Sequence, residues 1–225
     1  DWATVVAGRL AALPEHDRPS VAAITHHYYF TGPPSNPKAV LSNLLQPDPR
    51  VARDGEIAKA AAEKLGATYR MTEGNTCYRG GKPGFSDVFG AALWAADYAL
   101  DLASLGYAGV NLHGGGGKAV ADSLGGTLPG ELLMADPKAP HPRPFYTPIA
   151  YTDDKYVAEP VYFGLKFAQH FAGAKLMGVD FAAGAVNATA YAAKMADGRT
   201  AIAIINKDAS QAARVSVKGL RRGTI

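Results

Sequence analysis

Apolar and polar positions along this chain change rhythm from segment to segment, and each rhythm predicts an element. Trp2 to Leu13 follows a helical spacing. Ser20 to Phe30 is a short apolar run between Pro19 and the break at Gly32-Pro33-Pro34, which predicts a buried strand whose polar residues gather at its C-terminal end. Pro37 to Leu45 reads as a short helix and Ala52 to Leu65 as an alanine-rich one, closed by Lys64 and Gly66. Ala67 to Glu73 is the next strand, followed by a glycine-rich loop from Gly74 to Gly84. Ser86 is placed to cap a long helix through Leu105, with Asp87 in its first turn. In that helix Phe89, Leu93, Ala96 and Leu100 fall at spacings of four, three and four, one stripe that would pack on a sheet. Ala108 to His113 reads as a third strand.

The stretch from Gly114 to Asp154 is rich in Gly and Pro and has little periodicity, as a functional loop would. Pro160 then opens a helix to Phe171. Beyond it the rhythm becomes that of antiparallel strands: Val186 to Lys194, a turn at Ala196-Asp197-Gly198-Arg199, Thr200 to Lys207, and a further strand from Ala213 to Val217.

Strand and helix alternating at intervals of roughly 40 residues is the mark of a parallel sheet built from crossover units. The expected fold class is therefore α/β. Residues 1–174 would form the C-terminal part of a (β/α)8 barrel and residues 175–225 the start of an antiparallel β-sandwich. Because a whole eight-unit barrel takes about 250 residues by itself, the rest of the barrel is expected on another chain or outside this sequence. Both ends read as cut.

Composition narrows the partners more than the chemistry. The 225 residues carry 23 basic and 20 acidic side chains, a formal net charge of +3, so no single-sign field points to nucleic acid or to an anionic membrane surface. A modest preference for acidic substrates survives that balance. Cys77 is the one cysteine, which excludes an internal disulfide framework and a cysteine-cluster metal site. The longest apolar runs are interrupted by Asp, Lys or Asn and fall short of the ~20 residues of a membrane span.

Candidate chemistry lies at strand ends. Glu73 closes a strand and enters a glycine-rich loop, the position from which a barrel strand delivers a catalytic side chain. Capping of the following loop amides, or pairing with Arg70, accounts for it equally simply. In His26-His27-Tyr28-Tyr29, alternation sends His26 and Tyr28 to one face and His27 and Tyr29 to the other. Simple packing of that aromatic cluster remains open, and no carboxylates accompany the histidines as metal ligands would require. Gly114 to Lys118 resembles a phosphate loop, but Ala119 stands where a Ser or Thr must meet magnesium. The Asn187-Ala188-Thr189 acceptor tripeptide sits in a strand and carries no weight.

With those segments in hand, the sequence resembles glycoside hydrolase family 79, the heparanases and microbial β-glucuronidases. The resemblance runs through Thr25 to Tyr29, Arg70 to Gly81, Ser86 to Tyr98, Gly109 to Gly114 and Tyr146 to Ile149, and less specifically through Ala190 to Lys194 and Ile204 to Ser210. It implies a retaining glycosidase, with two carboxylates about 5–5.5 Å apart acting as nucleophile and acid/base. Glu73 matches the nucleophile, and Tyr28 matches the tyrosine that the family places beside it. Tyr78, the backbone amides of Arg79 and Gly80, and Tyr146 match the pocket for the sugar carboxylate, and His113 reaches the same subsite. The acid/base glutamate follows an asparagine in the family, and no Asn-Glu pair occurs in this chain, so it belongs to the N-terminal part of the barrel.

The implied substrate is a glucuronic-acid-containing oligosaccharide or glycosaminoglycan such as heparan sulfate, cleaved internally in the heparanase manner. Removal of a terminal glucuronate, a non-catalytic uronate-binding relative, and a glycosidase of the same architecture acting on neutral sugars are the alternatives. No cofactor or metal is called for, since acid, nucleophile and water suffice. Periplasmic, secreted and cytoplasmic locations of a bacterial enzyme all remain open. The chain departs from the pattern at Arg79, where some relatives carry glycine, and in the long insertion from Gly114 to Arg143.

Overall fold

The computed structural model describes residues 1–115, 144–152 and 154–219. Helix α1, Trp2–Ala11, is capped by Asp1, whose carboxylate accepts the Thr4 amide at 3.0 Å. Strand β1, Ala23–Thr31, leads through the four-residue helix α2, Leu41–Leu44, to α3, Pro49–Leu65. Asp48 caps α3 and Pro49 opens it, a pairing that suits the unpartnered amides of a first turn. Strand β2, Thr68–Cys77, lies parallel to β1. Helix α4, Phe89–Ser104, follows.

Residues 108–113 then run beside β2 in the same direction. Ala108 N donates to Tyr69 O, Met71 N to Gly109 O, Asn111 N to Met71 O and His113 N to Gly74 O, at 2.8–3.1 Å. Their only regular ladder step is the Met71/Val110 bridge, so the segment is a strand in direction and hydrogen bonding but too irregular to be a full one. Three parallel segments joined by two helical crossovers are thus present, and among the described residues they do not close into a barrel.

Beyond α4 come the hairpin β3, Ile149–Thr152, and β4, Lys155–Ala158, then helix α5, Pro160–Gln169. A three-stranded antiparallel sheet ends the description: β5, Lys175–Met177, β6, Ala188–Lys194, and β7, Thr200–Asn206, in that spatial order. Among the described residues this is a single sheet with no second sheet facing it.

The alanines of α4 give it two apolar sides. Ala91, Trp94, Ala95, Tyr98 and Leu102 pack over β1 and β2 with Met71, Cys77 and Phe85, while Ala96 and Leu100 meet Ala193, Ala203 and Ile205 of the antiparallel sheet and Phe171 just past α5. Burial of these side chains contributes about 1.5–3 kcal/mol for each large one, and it fixes α4 between the two sheets. Among the described residues no helix is long and apolar enough to cross a membrane.

Several expectations change. Strand β2 continues to Cys77, four residues past Glu73, so the first part of the expected loop is extended backbone. Ser86 does not cap α4. It is fully buried, accepts the Lys82 amide at 2.9 Å and shares a hydrogen bond with Thr76 at 2.7 Å, while the helix starts after Val88 with no side-chain cap. Asp87 likewise precedes the helix, accepting the Gly84 amide at 2.6 Å. Phe89 is 75% exposed and leaves the stripe, because it stands at the first position of α4, ahead of the sheets that the helix covers. The third strand of the antiparallel sheet is β5 and not Ala213 to Val217, which is exposed and irregular. The β3–β4 hairpin straddles the end of the expected long loop; most of that loop, including Lys118, lies outside the described residues.

Candidate functional site

Glu73 is the sixth of the ten residues of β2, within the parallel ladder that β2 forms with β1. The register of β1 against β2 decides which side chains face it. Ala23 to His26 pair in step with Thr68 to Met71, but His27 pairs with Glu73, so Thr72 is skipped. That bulge shifts parity. In unbroken register Tyr28 would lie opposite Glu73; with one residue passed over, His27 and Tyr29 take the face of Glu73 and His26 and Tyr28 take the other.

The Tyr29 hydroxyl accordingly donates to Glu73 Oε1 at 2.9 Å, and His27 Nδ1 lies 3.8 Å from Oε2. Burial, and then the hydrogen bond to Glu73, push the Tyr29 phenol well above its usual range, so it stays a neutral donor. Glu73 keeps about a third of its side chain exposed, open enough to meet a substrate. Arg70 donates to the Ala108 carbonyl at 3.3 Å and forms no pair with Glu73.

The tyrosine beside the carboxylate is therefore Tyr29, a correction to the expectation for Tyr28. Tyr28 is buried on the opposite face and donates to Asp48 Oδ2 at 2.7 Å. It stacks on Tyr98 with centroids 5.1 Å apart, and the Arg50 guanidinium lies 5.1 Å from its ring centre. Burial acts to raise the Asp48 carboxyl, but the hydrogen bonds from Arg50 and Tyr28 outweigh it and hold the group below the usual range. Arg50 also donates to the Phe30 carbonyl, tying β1 to the start of α3. His26, on the same face, meets the Tyr107 hydroxyl at 2.6 Å, and burial lowers its pKa. A cleft of about 340 Å³ lies on this side, lined by Tyr28, Asp48, Trp94, Asp101 and Lys207 among others. It is behind the strand, not in front of Glu73.

The remaining site residues gather around the turn after β2. Tyr78 is 39% exposed and meets Tyr29 edge to face with centroids 5.9 Å apart. Arg79, Gly80 and Gly81 follow with φ of 61°, 91° and 81°. Three left-handed residues in succession turn the chain back beneath the strand end, a conformation that costs a non-glycine residue about 1–2 kcal/mol at Arg79. The Gly80 carbonyl accepts the Phe145 amide at 2.7 Å, which brings residues 144–147 against the turn.

Tyr146 arrives there fully buried, with its hydroxyl 2.6 Å from His113 Nδ1 and the rings edge to face. Burial pushes its phenol up, the Gly80 amide opposing, so it too remains neutral. His113 is the more accessible partner of the pair. The structure thus brings Glu73, Tyr29, Tyr78 and His27 together, and gathers Gly80, His113 and Tyr146 at the turn beside them, with Tyr146 near enough to Glu73 and Tyr29 to interact electrostatically with both. Only Tyr28 stands apart. Sequence reasoning missed Tyr29 and His27 because alternation pairs residues by parity, while a bulge decides which parity faces the carboxylate. Among the described residues no three His, Cys, Asp or Glu side chains come together as a metal site.

No protein-family model matches the chain. Two stretches are similar to fungal proteins: 43 residues, 19% of this chain, are 49% identical to a β-glucuronidase of Neurospora crassa, covering 8% of that protein. A stretch of 106 residues, 44% of the chain, is 28% identical to a β-glucuronidase of Aspergillus niger, covering 20% of it. Among solved structures, the GH51 arabinofuranosidase from Xanthomonas axonopodis pv. citri superposes with a TM-score of 0.53 at 16% identity, over 93% of this chain and 42% of that one. These matches take in less than half the length of each of the three proteins. The mixed α/β arrangement is one found in a glycoside hydrolase, and at that identity the likeness speaks for the fold alone.

Proposed function

We propose that this chain belongs to a retaining β-glucuronidase, with Glu73 as the nucleophile. The observation that carries the reading is the Tyr29 hydroxyl on Glu73 Oε1 at 2.9 Å, on a partly exposed carboxylate carried by a parallel strand. The fungal β-glucuronidase names of the two partial matches support the choice of sugar. The hydrogen bond occupies Oε1 and leaves Oε2 for the anomeric carbon. Attack forms a glycosyl ester on Glu73 while a second carboxylic acid protonates the leaving oxygen; water then opens the ester, giving back the glutamate and a product of retained configuration. Tyr29, kept neutral by its surroundings, orients the carboxylate before attack.

In this reading residues 1–174 are the C-terminal part of a (β/α)8 barrel and 175–225 open a second, all-β domain. The acid/base glutamate comes from the N-terminal part of the barrel. Tyr78, the turn at Arg79 and Gly80, and the His113–Tyr146 pair receive the glucuronate carboxylate through neutral donors. Internal, heparanase-like cleavage of heparan sulfate is the finer form of the proposal, and Arg79 beside the pocket supplies a cation that suits a sulfated chain. A product profile on heparan sulfate oligomers separates internal scission from release of terminal glucuronate.

The test is Glu73→Gln in the full-length protein. Hydrolysis of an aryl β-glucuronide is expected to fall by at least about 10³-fold with the folded state retained. Near-normal turnover removes Glu73 from the mechanism.

A further inference from the structure

Asn75 lies two residues beyond Glu73, fully buried, and its side chain is committed in three directions. Nδ2 donates to the carbonyl of His113 at 2.9 Å and to the carbonyl of Tyr146 at 3.1 Å, while Oδ1 accepts the Thr76 amide at 2.8 Å. A primary amide has two N–H bonds at a fixed angle, so two backbone segments held by it cannot drift apart without orphaning a buried carbonyl. The side chains of the same two residues then close the figure, Tyr146 hydroxyl to His113 Nδ1 at 2.6 Å. Strand end, third strand and the segment from Pro144 are thereby held at one point.

We infer that Asn75 is a positioning residue for the sugar carboxylate: it sets where the Tyr146–His113 pair stands relative to Glu73. The inference rests on the β-glucuronidase reading and adds to it the device that holds the uronate side of the site. Asn75 touches neither substrate nor the reacting atoms, and acts through the two backbone carbonyls. It therefore governs substrate binding more than the chemical step on Glu73.

The experiment is Asn75→Asp in the full-length protein, which puts a carboxylate oxygen where the donor stood, facing the same two carbonyls. With an aryl β-glucuronide, KM is expected to rise about tenfold or more while kcat stays within about threefold. In a Tyr146→Phe background the same change is expected to alter KM by no more than about twofold, because the partner it positions is already disabled. If Asn75→Asp does not fold, Asn75→Ser carries the same comparison, since it keeps one donor and leaves room for water. An active wild type whose variant keeps its KM, or loses only kcat, or shows additive losses in the double variant, overturns the inference alone. A wild type inert toward glucuronides removes the reading and the inference together.

Discussion

Gly74→Ala is the perturbation that tests the site geometry most directly. Gly74 follows Glu73 and pairs with Tyr28 across the β1–β2 ladder. A Cβ built on it falls well inside 3.0 Å of the Tyr28 backbone carbonyl, a separation that real Cβ atoms essentially never show, and 3.6 Å from the Tyr98 hydroxyl. The obstacle is backbone, so no side-chain rotation relieves it. Restoring ordinary contact needs β1 and β2 to part by about 1 Å. The Tyr29–Glu73 hydrogen bond, at 2.9 Å, spans those two strands one residue away, and such a movement breaks it. Overpacking of this kind costs about 1–3 kcal/mol of stability, and a misplacement of about 1 Å at a reacting group costs about 10²-fold in rate. Urea denaturation of the full-length variant, with kcat for an aryl β-glucuronide measured below its unfolding midpoint, reads both quantities. A variant with wild-type stability and kcat within about threefold would refute the argument, because the strands would then have room that the geometry denies them.

Two further outcomes follow from groups outside the Tyr29–Glu73 pair. Burial, with Asp97 one turn away, raises the Asp101 carboxyl to about 6, Lys207 opposing the shift. An acid whose folded pKa is raised destabilises the fold once it ionises: the cost is absent below about pH 4, grows as pH climbs toward 6, and is full above that. Asp101→Asn is therefore expected to stabilise by on the order of 2 kcal/mol at pH 8 and by nothing at pH 4; an equal gain at both pH values would show that charge is not the cause. Arg79→Gly relieves a left-handed non-glycine residue, φ 61°, at the price of a more flexible unfolded chain. A net gain of about 0.5–1 kcal/mol in denaturation is expected, and a loss would mean that the guanidinium's own contacts outweigh the backbone strain.

Much of this arrangement is legible in residue order, and the failures have physical causes. Strand β1, helices α3 and α4 and the β6–β7 hairpin declare themselves through their apolar periodicity, whereas the expected end of β2 at Glu73 falls four residues short of Cys77. The resemblance alone places Tyr28 beside Glu73, and the skipped residue Thr72 puts Tyr29 there instead; alternation cannot choose between them, since nothing local marks the bulge. Ser86 looks like a helix cap, but tertiary burial beside Thr76 and Cys77 gives its hydroxyl other partners. Strand β5 is three residues long, too short for alternation to show, whereas Arg214, Val215, Ser216 and Val217 alternate well and stay in water. Ile149, Tyr151, Tyr156 and Val157 around Asp153-Asp154 did offer a hairpin signal, masked by the proline-rich sequence before them. Asn75 offers none, because its role consists of two carbonyls distant in sequence.

The junction of α4 with the antiparallel sheet has a consequence of its own. Asp97 accepts from Thr189 and Tyr191 of β6 and from the Lys207 ammonium just past β7, and that ammonium is almost wholly enclosed. Peeling the sheet away breaks all three of these hydrogen bonds at once, each to a charged group and worth about 1.5–3 kcal/mol. Helix α4 and the small sheet should therefore melt as one cooperative block, and a protease that nicks the connection between α5 and β5 would leave the two pieces clasped together.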